Sequence, residues 1–135
     1  MTNNRGEGQT GNVRRVWARK EIGAIGERAA AEMLLESGYA VIERNWRCRT
    51  GELDIVAEGE GRIVFVEVRT RMSEGRFGTA AESVDYRKQR QVRETALFYL
   101  RAMKLADKAL RFDVVAITLD KEGSVKQINH VKAAF

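Results

Sequence analysis

Hydrophobic positions follow two different periods along this chain, which predicts an alternation of helices and strands. In residues 21–37 apolar side chains recur every three or four positions, so the segment predicts a helix that ends at Gly38. A second helical pattern covers residues 83–103. The remaining patterned segments are rich in β-branched residues and are bounded by turn formers, which is typical of strands. They cover residues 39–47, 51–57, 62–70, 110–118 and 125–130.

This order predicts an α/β fold with an αβββαβ core and a central mixed sheet flanked by helices, followed by a short additional strand. The second and third strands are expected to form a hairpin with its turn centred on Gly59 and Glu60. That register places Asp54 opposite Phe65 and diagonal to Glu67, and it places Glu52 opposite Glu67. Because side chains alternate along a strand, these acids are then expected to converge on one face of the sheet.

The charges divide the chain into two parts. It has 135 residues, 44% of them hydrophobic, and a net charge of +5, which fits one domain over residues 21–135. Residues 1–20 are polar and glycine-rich, and they hold five Lys and Arg residues against one Glu, so we expect a flexible basic N-terminal arm. The domain itself is therefore nearly neutral, and the basic excess favours a polyanionic partner.

Composition excludes several classes of protein. With Cys48 and His130 as the single members of their types, the chain cannot form an intrachain disulfide or a structural zinc site of four Cys or His ligands. Residues 6–11 match the glycine pattern of a dinucleotide-binding loop, but no predicted strand precedes them, so we interpret the match as chance. No apolar run is long enough to span a membrane, so we expect a cytoplasmic protein without membrane contact.

Charged residues on faces that should be buried are the candidates for functional residues. Glu27 lies at the margin of the apolar face of the first helix, and Lys88 lies on the apolar face of the second. Both could instead extend along the core and end in water. Glu52 could form a surface ion pair with Arg69. Those interpretations leave unexplained why three elements each direct a charge toward the same sheet. A cluster of ionised carboxylates requires a cation to offset their repulsion.

Several segments together resemble a known family. An acid on one strand and Glu-x-Lys on the next is the signature of the PD-(D/E)xK nucleases, and here it corresponds to Asp54 and to Glu67-Val68-Arg69. The chain from about Glu21 onward resembles the bacterial YraN-type family, uncharacterised protein family 0102, whose members are predicted nucleases similar to archaeal Holliday-junction resolvases. The segments that carry this resemblance are Gly26-Glu27-Arg28-Ala29-Ala30, Asn45-Trp46-Arg47, Gly51-Glu52-Leu53-Asp54, residues 64–71 and Arg111-Phe112-Asp113-Val114-Val115.

The resemblance implies a restriction-endonuclease-like fold and a set of site residues. Asp54 and Glu67 would be the metal carboxylates, with Glu27 as the acid on the helix and Lys88 as the basic residue on the later helix. Arg69 occupies the position of the catalytic lysine, and because a guanidinium stays protonated it suits phosphate binding better than proton transfer. Resolvase-like nucleases usually act as dimers, so a homodimer is also implied.

The resulting hypothesis is metal-assisted hydrolysis of phosphodiester bonds in DNA. Oxygen ligands from Asp54 and Glu67, with Glu27 or Glu52 directly or through water, suit Mg²⁺ or Mn²⁺. The DNA would be held through its phosphates, which implies little sequence preference. The residues expected to contact it are Arg14, Arg15, Arg71, Arg76, Arg87, Arg90 and Arg93.

Two other functions are compatible with the sequence. A nucleic-acid-binding module could keep the nuclease fold without turnover, and Arg69 favours that alternative. A protein-interaction domain would need neither DNA nor metal. We favour the nuclease, because a non-catalytic binder has no need for several acids where a phosphate must approach.

Overall fold

The structure is a computed structural model that describes residues 16–73 and 84–135. Within these residues the predicted order of helices and strands is confirmed, and their bounds differ from the predictions by a few positions. The elements are α1 (Arg19–Glu36), β1 (Ala40–Cys48), β2 (Gly51–Gly59), β3 (Arg62–Met72), α2 (Tyr86–Ala102), β4 (Leu110–Leu119) and β5 (Val125–Val131).

The five strands form one mixed sheet in the order β1-β2-β3-β4-β5. β3 and β4 are parallel and are connected through α2, whereas every other neighbouring pair is antiparallel. The predicted additional strand, β5, thus completes one edge of the sheet. This is the predicted α/β fold with a mixed sheet between helices, consistent with a restriction-endonuclease-like core.

Each face of the sheet is covered by one helix. Val64 and Val66 of β3 belong to the cluster under α1, together with Leu34 of that helix. Ile63 and Phe65, which alternate with those valines, belong to the cluster under α2. The predicted alternation of β3 is therefore confirmed, and the two hydrophobic cores hold both helices against the strands.

The turn between β2 and β3 differs from the predicted one. It is made by Glu60 and Gly61, which have φ of 54° and 78°, and a two-residue type I′ turn requires positive φ at both central residues. The pairing runs from Gly59 with Arg62 to Ile55 with Val66. The predicted register is thus wrong by two residues, which changes the cross-strand neighbour of each side chain.

Residues 16–20 do not behave as the end of a free arm. The Trp17 Nε1–H donates to the Lys121 carbonyl oxygen at 3.0 Å, and the Trp17 ring occupies the space that a Cβ on Gly123 would need. α1 begins at Arg19, where the Ala18 N–H donates to Glu21 Oε1 at 3.0 Å. The rest of the predicted arm, residues 1–15, lies outside the described residues.

The described helices do not include one that combines the length and the apolar composition needed to cross a membrane.

Candidate functional site

The site is centred on Asp54, next to the point where the β2 and β3 pairing ends. Ile55 and Val66 form the last pair of that ladder, and the Val68 N–H donates instead to Asp54 Oδ2 at 2.9 Å. A side-chain carboxylate therefore replaces a backbone partner at this position of β3. Since an acid that accepts a backbone hydrogen bond is fixed in place, the geometry holds Asp54 between the two strands.

Asp54 does not share the face that was predicted for it. It lines a pocket of ≈ 250 Å³ with Val68 and Thr70, on the side of the sheet covered by α1. The prediction of a cluster beside Ile63 and Phe65 is therefore wrong for Asp54. The reason is a break in the alternation of β2, in which Leu53 and Val56 pack in the same cluster although they are three residues apart.

Glu67 approaches the site from the face covered by α2. Its side chain is 8% exposed, and Lys88 Nζ lies 3.5 Å from Glu67 Oε2. The neighbours of Lys88 on its helical face, Val92 and Thr95, are buried, as the helical pattern predicts. A lysine on that face needs an anion, and the structure confirms that it has one. The helix begins at this site because Asp85 Oδ1 accepts a hydrogen bond from the Lys88 N–H at 2.8 Å.

The two carboxylates repel each other. Burial and then the charge of Glu67 raise the pKa of Asp54 to about 7, although the Val68 N–H opposes the shift. Burial also raises the pKa of Glu67, and the charges of Lys88 and Arg69 offset that effect only in part. Burial and like charge therefore both disfavour the ionised form of Asp54, a combination that is common at functional sites.

Glu27 joins the site from α1. It lines the same pocket as Asp54, and its charge contributes to the raised pKa of that acid. Glu27 Oε1 accepts a hydrogen bond from Asn45 Nδ2 at 3.0 Å. The prediction that Glu27 faces the sheet is confirmed. The pocket is lined by Arg19, Ile22, Gly23, Glu27, Asp54, Val68 and Thr70.

Glu52 is engaged elsewhere. It is paired with Arg47 across β1 and β2, and Arg47 Nε lies 3.5 Å from Glu52 Oε2 on the surface. The ion pair that Glu52 forms is therefore with Arg47 on β1 and not the alternative one with Arg69, since the β2 and β3 ladder ends at Ile55 and Val66, before it reaches Glu52. The charge of Glu52 contributes to the raised pKa of Glu67.

The predicted basic residues divide into three groups. Arg87 and Arg90 are exposed on α2, in the same turns as Lys88. Arg93 is also exposed, but its guanidinium lies 5.1 Å from the centre of the Phe112 ring and 5.6 Å from that of Phe135. Arg71 is partly buried on β3. The predicted contacts Arg14, Arg15 and Arg76 lie outside the described residues.

The fit of the site to a metal ion rests on two of the four predicted ligands. Within residues 16–73 and 84–135, no three His, Cys, Asp or Glu side chains are grouped so that they could hold a metal ion. Asp54 and Glu67 alone form a repelling oxygen pair, and one or two carboxylates are the usual protein ligands of Mg²⁺, which keeps several waters. These two carboxylates are the donors that the described residues offer such an ion, and no group of three that would add Glu27 or Glu52 is formed among them.

A second polar cluster was not predicted from the sequence as a structural unit. Asp113 is fully buried on β4 and accepts two hydrogen bonds from Arg111, at 2.8 Å each. His130 Nε2 lies 2.8 Å from Asp113 Oδ2, and the Ala133 N–H donates to Oδ1 at 3.0 Å. Arg111 also donates to Glu60 at the β2 and β3 turn, at 2.6 Å. The Arg111-Phe112-Asp113 segment was noted in the sequence, but its partners are distant along the chain.

The fold and the acidic site place the chain among α/β proteins with a restriction-endonuclease-like core. Residues 26–117 match the family model described as "Uncharacterised protein family UPF0102", and the chain belongs to that family. A UPF0102 protein of Moorella thermoacetica is 50% identical over 87% of this chain and 97% of its own length. A UPF0102 protein of Geotalea daltonii is 41% identical over 97% of this chain and 96% of its own length.

Among solved structures, the chain is similar to an fdxN element excision controlling factor protein from Anabaena variabilis. The two chains are 16% identical, with a TM-score of 0.34, over 82% of this chain and 98% of the other.

Proposed function

We propose that this protein is a metal-dependent DNA endonuclease that hydrolyses phosphodiester bonds at the Asp54 and Glu67 pair. The observation that carries the proposal is that two acids with raised pKa values lie next to each other at the edge of a pocket. Asp54 has a pKa raised to about 7 by burial and by Glu67, beside a pocket that opens between α1 and the sheet. A protein gains no stability when a partly buried acid and a buried acid repel each other, so their placement favours a ligand that carries positive charge.

The residues around the pair would have two roles, cation binding and phosphate binding. Asp54 and Glu67 would hold Mg²⁺ or Mn²⁺, whose Lewis acidity makes water a better nucleophile and shields phosphate oxygens. The Lys88 ammonium, 3.5 Å from Glu67, lies where it can stabilise charge that develops on a phosphate. Arg69 suits bidentate phosphate binding, because its guanidinium presents a fixed fork of donors.

The exposed cations of α2 support nucleic acid as the substrate. Arg87 and Arg90 accompany Lys88 on the first turns of that helix and are free to contact backbone phosphates near the site. Contacts of this kind position a duplex without reading its sequence. We therefore propose that the enzyme selects DNA by shape, such as branches or damage, more than by sequence.

A cleavage assay with isosteric variants tests the proposal. The full chain is incubated with Mg²⁺ or Mn²⁺ and with duplex, single-stranded, flapped or four-way DNA. We expect Asp54→Asn and Glu67→Gln each to lower the cleavage rate at least about 100-fold, since a metal site supplies several kcal/mol of transition-state stabilisation. Asp107→Asn, which changes an exposed acid in the loop before β4, is the matched control. Cleavage that survives both site variants would contradict the assignment.

A second candidate is a DNA-binding module without turnover. Two observations favour it: Arg69 stands at the position of the usual lysine, and the described residues do not group three potential metal ligands. This candidate predicts binding that weakens with salt but does not respond to Mg²⁺ or Mn²⁺. A salt titration of DNA binding with and without Mn²⁺, in parallel with the cleavage assay, distinguishes the two.

A further inference from the structure

Asn45 has an unusual backbone conformation beside the site. It lies in the middle of β1, yet its φ is 53°, in the left-handed region that residues other than glycine seldom adopt. Its neighbours Arg44 and Trp46 pair with Ile55 and Leu53 of β2, so Asn45 lies across the ladder from Asp54. The edge strand therefore has its left-handed residue opposite the central acid of the site.

The Asn45 side chain connects this strand to α1. Its amide Nδ2 donates to Glu27 Oε1 at 3.0 Å, across 18 residues of sequence. Asparagine is among the few residues that tolerate the left-handed region, and it also supplies a donor there. A glycine at this position would meet the backbone requirement equally well but would leave the Glu27 carboxylate without this partner.

The backbone beneath Glu27 is already fixed by close packing. A Cβ on Gly26 would lie 1.8 Å from Thr70 Oγ1, so α1 approaches β3 more closely than any side chain at position 26 would allow. What the packing does not fix is the long Glu27 side chain, whose rotamers cost little to exchange in a partly exposed position. The hydrogen bond from Asn45 is made in the arrangement in which Glu27 lines the pocket with Asp54.

We infer that Asn45 is a positioning residue, which holds the Glu27 carboxylate at the Asp54 pocket so that Glu27 can act on a cation through water. The inference rests on the proposed function for the role of Glu27, but the contact between Asn45 and Glu27 is independent of it. Outer residues that orient ligands in this way typically change metal affinity or activity 10- to 100-fold when they are removed.

The test is a double-mutant cycle with Asn45→Gly and Glu27→Ala in the full chain. Mn²⁺ affinity is measured by electron paramagnetic resonance, and cleavage is measured at saturating Mn²⁺. We expect Asn45→Gly to weaken Mn²⁺ binding about 10-fold or more with the melting temperature retained, because glycine keeps the left-handed backbone. In the Glu27→Ala background the same change should have no further effect. Glu32→Ala, on the exposed side of α1, is the control for helix substitution.

Each outcome decides the inference. Asn45→Gly with wild-type Mn²⁺ affinity and cleavage, or a loss that is as large without Glu27 as with it, would overturn the positioning role. If the wild-type protein binds no Mn²⁺ and cleaves no DNA, the proposed function fails. In that case the side-chain amide resonances of Asn45 in the metal-free protein still decide the contact: a shift on Glu27→Ala, with none on Glu32→Ala, supports it, and unchanged resonances overturn it.

Discussion

Two aspartates of the same sheet, Asp113 and the partly buried Asp54, have opposite electrostatic surroundings. Burial alone would raise the pKa of Asp113, but hydrogen bonds from His130, Arg111 and the Ala133 N–H lower it to about 2. Asp54 accepts the Val68 N–H, while burial and the charge of Glu67 raise its pKa to about 7. A buried acid with enough donors supports the fold, whereas a partly buried acid left among like charges is available for a ligand.

The two aspartates differ because different helices and strands supply their neighbouring side chains. Arg111, His130 and Ala133 bring donors to Asp113 from β4, β5 and the segment after it, so the cluster ties the C-terminal part of the chain to the sheet. The elements around Asp54 bring mainly acids, Glu27 from α1 and Glu67 from β3. Lys88 faces Glu67 but is 37% exposed, so solvent screens part of its charge.

The largest predicted effect tests the structural role of Asp113. Asp113→Asn should lower the free energy of unfolding by about 3–5 kcal/mol at pH 7, because it removes the buried carboxylate of the cluster and leaves Arg111 with only the exposed Glu60 as an acidic partner. The folded-state pKa of Asp113 lies below the ordinary value of 3.8, so its contribution is present above that pH and is lost as the pH falls toward 2. Urea denaturation should therefore show the difference between variant and wild type shrinking from pH 4 to pH 2.

Asp107→Asn serves as the control for this measurement, because Asp107 is exposed. A loss below about 1 kcal/mol for Asp113→Asn would mean that the Asp113 cluster adds no more than a surface ion pair does.

The same substitution at Asp54 should have the opposite sign. Asp54→Asn is expected to raise the free energy of unfolding by about 1–3 kcal/mol at pH 8 in EDTA, because it removes a charge whose burial is unfavourable. The folded-state pKa of about 7 exceeds the ordinary value of 3.8, so wild-type stability is fully present below pH 3.8 and is lost as the pH rises through 7. The advantage of the variant should therefore vanish at pH 4 in urea denaturation. If Asp54→Asn instead lowered the free energy of unfolding at pH 8, the proposed difference between Asp54 and Asp113 would be wrong.

The close approach of α1 to β3 separates packing from charge at the site. Gly26→Ala should destabilise the protein by about 1–3 kcal/mol, because its Cβ would overlap Thr70 and force the helix away from the sheet. Gly23→Ala is the matched control, since nothing lies within 4 Å of its Cβ, and it should stabilise the helix by about 0.5–1 kcal/mol. Thermal unfolding of the Gly26→Ala and Gly23→Ala proteins checks this prediction. Equal changes in melting temperature would show that α1 is not packed tightly against β3.

The smallest predicted effect concerns Glu52. Its partner Arg47 is mostly exposed, so Glu52→Gln should change the free energy of unfolding by less than about 1 kcal/mol. We also expect DNA cleavage to stay within about threefold of wild type. A tenfold change in rate would require a change of about 1.4 kcal/mol in the activation free energy, and the effect of Glu52 is expected to be smaller than that. A loss as large as that of Glu67→Gln would return Glu52 to the set of metal ligands.

The sequence by itself determined the elements and several of their faces. The helical period placed Lys88 among buried neighbours, and the structure confirms that its ammonium meets an acid. The alternation of β3 placed Val64 and Val66 on the face of the sheet opposite to that of Phe65. Gly38, after α1, has the predicted positive φ, 95°. These properties depend on the geometry of a few consecutive residues, which composition and spacing record directly.

Only the tertiary structure decided which charges meet. The conformation of Glu60 and Gly61 set the register of β3 against β2, the left-handed Asn45 turned its amide toward Glu27, and the fold brought His130 to Asp113. Each of these features depends on residues far apart in the sequence, or on a backbone conformation that neither the helical nor the strand period of hydrophobic positions reveals. The change of register exchanged the cross-strand partners of β2 and β3, and the break in the alternation of β2 moved Asp54 to the other face, so the hydrophobic pattern determined the fold of this protein without determining its site.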